Sequence, residues 1–181
     1  MMTTLKQTLE EIAKKNKGLE GEPLWTEGAL EQDSVRRFIQ AIMDNDPCYF
    51  DTKHAAHSKF GQLVAPPLFP VHAFRVRCDQ PDPLEAVQED SDADGSGGNE
   101  GVYFGLPPLK SPLKRLLNGG NEIELYRNMA IGERCVAKAR YSDIQVKQSK
   151  SGVMLLVTIE TRFHNDQQDL LMINRQTLIW R

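Results

Sequence analysis

The chain has 181 residues, enough for one well-buried core and too few for two comfortable domains. Hydrophobic residues make up 40% and charged residues 26%, an ordinary globular balance, and no apolar run approaches the roughly 18 residues of a membrane-spanning helix. The net charge of −3 hides an asymmetry: residues 79–101 hold eight acids and no base, so the rest sits near +5. That is too diffuse for nucleic acid and compatible with an anionic ligand.

The N-terminus lacks a continuous apolar h-region, so no secretory signal is expected. Cys48, Cys78 and Cys135 are odd in number and far apart. This argues against a disulfide framework or zinc knuckle and points to a reducing cytoplasm.

Leu5, Leu9 and Ile12 lie at helical spacing with Gly18 as a stop, so residues 1–19 read as a short N-terminal helix ahead of one domain over 20–181. LWTEGALEQD reads as irregular. Asp33 or Ser34 can cap a helix with the apolar face Val35, Phe38, Ile39 and Ile42, ending near Asp46-Pro47. A short helix follows around Thr52–Lys59, closed by Gly61. Pro66 and Pro67 then suit a helix start, with Pro70 in its first turn. Leu68, Phe69, Val71, Phe74 and Val76 make that helix apolar nearly all round, so it is expected to be the buried one.

Residues 79–112 turn acidic and rich in Gly and Pro, a long surface excursion whose end, Val102, Tyr103, Phe104 and Leu106, packs back on the body. The last third alternates like strand. Ile123 and Leu125 form one set; Cys135, Ala137, Ala139 and Tyr141 another. Leu155, Val157, Ile159 and Phe163 share a face, as do Leu171, Ile173, Thr177 and Ile179, with turns at SKSG and NDQQD. One buried helix against a meander of long antiparallel strands is an α+β layout.

DSVRRFIQAIMDNDPCYFD, GQLVAPPLFP, LNGGNEIELYRNMAIGERCVAKARYSDI and SGVMLLVTIETRFHN resemble the MaoC-type dehydratases. The closer resemblance is to their fatty-synthase-type branch, the N-terminal half of two-part enoyl-thioester hydratases, and it spans roughly residues 20–180. It implies the hot-dog fold, a long helix wrapped by an antiparallel sheet, paired with a second hot-dog unit. It also implies water addition to trans-2-enoyl thioesters, or removal from (R)-3-hydroxyacyl thioesters, without metal or organic cofactor.

The family motif Gly-Asp-x-Asn-Pro-x-His supplies the water-activating pair, and an Ala-His-Gly segment donates a backbone N–H to the thioester oxygen. By resemblance, Asp44 holds the aspartate place, Asp46 the asparagine place beside Pro47, and Tyr49 the histidine place. VAPP replaces Ala-His-Gly, putting Pro67 at the donor. Tyrosine, with a pKa near 10 against about 6.5 for histidine, is a poor base at neutral pH, and proline has no N–H for an oxyanion hole.

The candidate catalytic residues are therefore Asp44, Tyr49 and, as a substitute base, His72. The 66–74 helix, with Pro66, Pro67, Phe69 and Val71, is expected to line the acyl tunnel. Asn118, Gly119 and Gly120 of LNGG fall where the family approaches its partner and the ligand cleft. His54 and His57 stand at i, i+3 beside Asp51, a weak metal signal in a polar segment, so no metal is expected.

Three functions are open. The first is an impaired acyl-binding half whose Asp/His pair comes from another chain. The second is a homodimeric hydratase using Asp44 with His72 or His57. The third is a non-enzymatic acyl-thioester binder. The thioester carrier is coenzyme A or a carrier protein; no membrane or nucleic-acid partner is expected.

Overall fold

A computed structural model describes residues 2–74, 103–150 and 152–181. Helix α1 (Met2–Asn16), strand β1 (Leu24–Trp25), helix α2 (Gln32–Ile42), a 3-10 turn (Pro47–Tyr49) and helices α3 (Thr52–His57) and α4 (Phe69–His72) come first. Strands β2 (Leu116–Leu125), β3 (Cys135–Ser149), β4 (Gly152–Asn165) and β5 (Leu170–Trp180) follow. They join β1 in one sheet of order β1–β3–β4–β5–β2, every neighbouring pair antiparallel. The α+β layout is as expected.

Long alternating runs make the sheet. Cys135, Ala137, Ala139 and Tyr141 all enter the core from β3. A bulge between Tyr141 and Asp143 then shifts the register, and the core residues switch to Ile144 and Val146. Leu155, Val157, Ile159 and Phe163 share the inner face of β4 as predicted, none more than 1% exposed.

On β5, Ile173, Thr177 and Ile179 do share one face, opposite Arg162, Thr158 and Leu156, but the core lies on the other. Leu155 pairs with Trp180, Val157 with Leu178 and Phe163 with Met172, and directly paired residues share a face. The inner set is therefore Met172, Leu178 and Trp180, with Leu171 added at the β4–β5 bulge. Both alternations of β5 are apolar, so periodicity alone could not choose; the register with β4 does.

The helices depart from expectation at their ends. The cap of α2 is Glu31, which makes no side-chain bond, while Asp33 lies inside the first turn and pairs with Arg36 and Arg37 at 2.7 and 2.8 Å. The helix stops at Ile42, well short of Pro47, through a left-handed Met43 (φ 56°). LWTEGALEQD is irregular only between β1 and Glu31; its last two residues, Gln32 and Asp33, already belong to α2.

The long buried helix is described only as the single turn α4; Val76 lies outside the described residues, and so do Val102 and residues 79–101 of the acidic excursion. Within the turn, Phe69 and Pro70 are buried, but Leu68 (46%) and Val71 (38%) are exposed, against the expectation. One turn has only one inward face, so an all-apolar sequence cannot bury every side chain there.

The excursion's end does pack back: Tyr103, Phe104 and Leu106 are buried. Phe104 meets Phe163 edge-on at 5.2 Å and Phe74 at 5.4 Å, tying the segment after α4 to the sheet. Gly105 (φ +86°) crosses so close to Glu22 that a Cβ there would collide with the Glu22 carbonyl oxygen. Helix α1 is laid along β3 by Leu9 in the core, by Gly18 N–H to Tyr141 O (2.8 Å) and by a Lys17–Asp143 ion pair.

The opposite face of the sheet carries a charge row. Glu160, 4% exposed, pairs with Arg140 (3.0 Å), Arg162 (3.2 Å) and Arg175 (2.9 Å), and Arg175 reaches on to Glu122 and Glu124 of β2. Burial pushes the Glu160 carboxyl up, but the Arg175 and Arg162 hydrogen bonds and the charge of Arg140 outweigh it and hold it below the ordinary 4.5. A depressed folded-state pKa adds stability above the unfolded value that is lost as pH falls through the folded one. Urea midpoints measured from pH 6 down to about 3 should therefore fall below pH 4.5. The Glu160→Gln variant should lose midpoint at pH 6 and show a flatter acid limb.

Candidate functional site

The left-handed Met43 turns the chain back so that Asp44 N–H bonds Ile39 O at 3.0 Å, placing Asp44 half-buried at the end of α2. Its Oδ1 accepts from Asp46 N–H (3.1 Å), and Asp46 Oδ1 accepts from Cys48 N–H (2.9 Å), capping the 3-10 turn. That turn carries Tyr49 inward to 7% exposure. Burial first, then the negative charges of Asp44 and Asp46, push its hydroxyl up to about 12. The structure thus sets Asp44 and Tyr49 together, with Tyr49 holding its proton more firmly than a free phenol.

The proline pair lies alongside. Val64 N–H bonds Cys48 O (3.3 Å), Ala65 N–H bonds Met129 O (2.8 Å) and the Asn128 side chain donates to Ala65 O (2.8 Å). These bonds pin the strand-like 63–65 segment between the Tyr49 turn and residues 129–131, which lead into β3. Pro66 is buried and accepts Phe69 N–H at 2.9 Å; Pro67 is half-buried. Neither proline presents a donor.

Beyond them, α4 borders a cavity of about 240 Å³. Its lining combines the apolar Phe69, Ala73, Leu30 and Met129 with the polar Glu27, Glu31 and Ser34. Phe69 and Ala73 both come from the 66–74 segment, whereas Leu30 and Met129 arrive from distant parts of the chain that no local pattern identifies. Val71 faces outward.

His72 stands on a different side, its ring 5.1 Å from Phe38, in an open groove with Arg37, Ala41 and Ile42. His57 lies along its own helix, Nδ1 at 2.7 Å from Lys53 O. Asp51 is occupied capping α3 through Lys53 and His54 N–H.

Asn118, Gly119 and Gly120 sit on β2, at the end of the sheet. Asn118 Oδ1 accepts Gly120 N–H (2.9 Å), the register with β5 slips between them, and a Cβ on Gly119 would press within 3.0 Å of Thr177. Among the described residues no hydrogen bond joins this segment to Asp44, Tyr49 or the prolines. The candidate residues thus fall into three groups: Asp44, Tyr49 and the proline segment near the entry to β3, His72 in the groove beside Phe38, and Asn118, Gly119 and Gly120 on the edge strand.

The sheet and its helices define a hot-dog fold, and solved hot-dog structures superpose on it. The ChsH1–ChsH2 complex from Mycobacterium tuberculosis matches with TM-score 0.67 at 15% identity, covering 99% of this chain and 92% of that one. The C-terminally truncated HadBC (3R-hydroxyacyl-ACP dehydratase) complex from the same organism gives 0.59 at 14%, covering 90% and 96%. The (R)-hydratase from A. caviae involved in PHA biosynthesis gives 0.57 at 13%, covering 90% and 95%. A search of curated protein sequences found no match. The FAS1-like dehydratase domain region model matches residues 25–174, and the chain belongs to that family.

Proposed function

We propose that the chain is the acyl-accommodating, catalytically impaired half of a two-part enoyl-thioester hydratase, or (R)-3-hydroxyacyl-thioester dehydratase. A second hot-dog subunit supplies the missing Asp/His pair. The observation that carries this reading is the buried Tyr49 beside Asp44, where the family has its histidine, with Pro67 at the donor place.

The reaction removes a proton next to the thioester carbonyl as the C–O bond at the β carbon breaks, or the reverse. It needs a base active near neutral pH and a donor for the enolate oxygen. Asp44 can orient a water, and Tyr49 can donate a hydrogen bond but not take a proton. The acyl chain lies against Phe69 in the cavity of about 240 Å³, with coenzyme A or a carrier protein as carrier. No metal or organic cofactor takes part in the hydration. The ChsH1–ChsH2 and HadBC structures are both complexes, in keeping with a partner subunit. No described helix is long and apolar enough to cross a membrane, and the reaction is assigned to the cytoplasm.

Turnover of crotonyl- and longer enoyl-coenzyme A, followed by loss of the enoyl chromophore, tests this. The chain alone should be nearly silent. Mixing it with a hot-dog protein encoded beside it should restore hydration and shift the mass to that of a complex. Acyl-coenzyme A binding with no partner restoring turnover would instead make the chain a non-enzymatic binder.

A further inference from the structure

Asp46, Cys48 and His54 bring a carboxylate oxygen, a thiol sulfur and a ring nitrogen within 4.8 Å of one another. The backbone that carries them is fixed at several points. Asp46 Oδ1 holds Cys48 N–H at 2.9 Å, Asp51 N–H bonds Pro47 O at 2.9 Å, and Asp51 Oδ1 holds His54 N–H at 3.0 Å. Cys48 is buried while Asp46 and His54 are exposed, so the sulfur forms the floor and the other two donors can swing over it. His57 is not in the group; its ring is engaged with Lys53 O.

We propose that Asp46, Cys48 and His54 form a site for a single divalent transition metal of zinc-like softness. One thiolate, one imidazole and one carboxylate suit zinc or cobalt and disfavour magnesium or calcium, which take oxygen ligands. Zinc bonds of about 2.0–2.3 Å place tetrahedral ligands about 3.3–3.7 Å apart, so closure draws the donors in by about 1 Å. The exposed Asp46 and His54 side chains can supply that by rotation. A water completes the fourth position.

Binding releases one proton: Cys48 S–H gives up its hydrogen to solvent and the sulfur pair becomes the metal bond. Burial, with the Asp46 carboxylate, holds the free thiol up, while Ser58 and Lys59 favour the thiolate. Affinity should therefore rise with pH. Lys59, whose charge reaches both Asp46 and Cys48, is the cation the metal must compete with. The site adjoins Tyr49 but is independent of the hydratase reading, and it departs from the absence of metal expected from the sequence.

The test is Co²⁺ titration of metal-free, reduced, full-length protein. The expected result is a sulfur-to-cobalt charge-transfer band saturating at one equivalent and displaced by Zn²⁺. Cys48→Ser should abolish the band. Loss of an outer-shell partner costs about 10–100-fold in affinity, so His54→Ala and Asp46→Asn should weaken binding at least that much. Lys59→Gln should tighten it several-fold. His54 and Asp46 are exposed, so their variants serve even if Cys48→Ser fails to fold, which circular dichroism reports. No charge-transfer band in folded wild-type protein overturns the proposal, as does binding that His54→Ala and Asp46→Asn leave unchanged.

Discussion

Hydration of crotonyl-coenzyme A by the homogeneous, partner-free chain is expected to run about 10⁴–10⁷-fold slower than by a hot-dog hydratase with its aspartate, histidine and amide donor in place. Losing a general base costs about 10²–10⁴ in rate, and losing one oxyanion donor about 10²–10³. Together these raise the barrier by about 5–10 kcal/mol at about 1.4 kcal/mol per decade.

The environment of Tyr49 worsens the deficit. With its hydroxyl pushed up to about 12, only about one molecule in 10⁵ carries a phenolate at pH 7, so moderately alkaline buffer should not rescue the rate. Asp44→Asn should then have little effect on the chain alone. A stopped-flow trace showing rapid water addition by the isolated chain would overturn the functional reading.

The largest stability loss from one core substitution should come at Phe163, which is fully buried on β4 and meets both Phe74 (5.9 Å) and Phe104 (5.2 Å). Phe163→Ala deletes the ring that joins the segment after α4 and the returning end of the excursion to the sheet. Phe-to-Ala changes in cores cost about 3–5 kcal/mol, and a chain of this size loses about 2–4 °C of melting temperature per kcal/mol. Calorimetry should therefore show a drop of about 6–20 °C. Phe163→Leu, which keeps most of the volume, should lose less than half of that.

Much of this architecture is written in local pattern. The alternation of β3 and β4 picks out the same inward residues that the structure buries, because one face of each strand is apolar and the other is not. Strand β5 resists the same treatment: Met172 and Ile173, or Leu178 and Ile179, are apolar neighbours on opposite faces, and only pairing with β4 decides between them. Helix α2 is legible in its apolar face, Val35 and Ile39, but not at its ends. Asp33 has the chemistry of a cap, yet its carboxylate goes to Arg36 and Arg37. The helix ends on a left-handed methionine, a conformation that favours glycine and that the residue type does not announce.

The same division runs through the site. Asp44 closes α2 and Tyr49 ends the 3-10 turn that follows it, only five residues on, so their proximity follows from the sequence. The cavity beside Phe69 depends on Leu30 and Met129 arriving from distant segments. The convergence of His54 with Asp46 and Cys48 depends on how α3 folds back after the 3-10 turn, which the spacing of His54 and His57 could not reveal.

Ser142, the extra residue between Tyr141 and Asp143, donates its hydroxyl to Thr158 O at 3.0 Å and lets the strand change phase in mid-course. Removing that one residue would leave Asp143 following Tyr141 in unbroken alternation, so Ile144 and Val146 would still point inward opposite the same partners, and only the local bend and extra twist would go. Keeping Ser142 in a straight ladder is the change the strand could not absorb, because Ile144 and Val146 would then turn outward while Gln145 and Lys147 turned inward. The bulge thus acts as a spacer that reconciles two stretches of opposite parity.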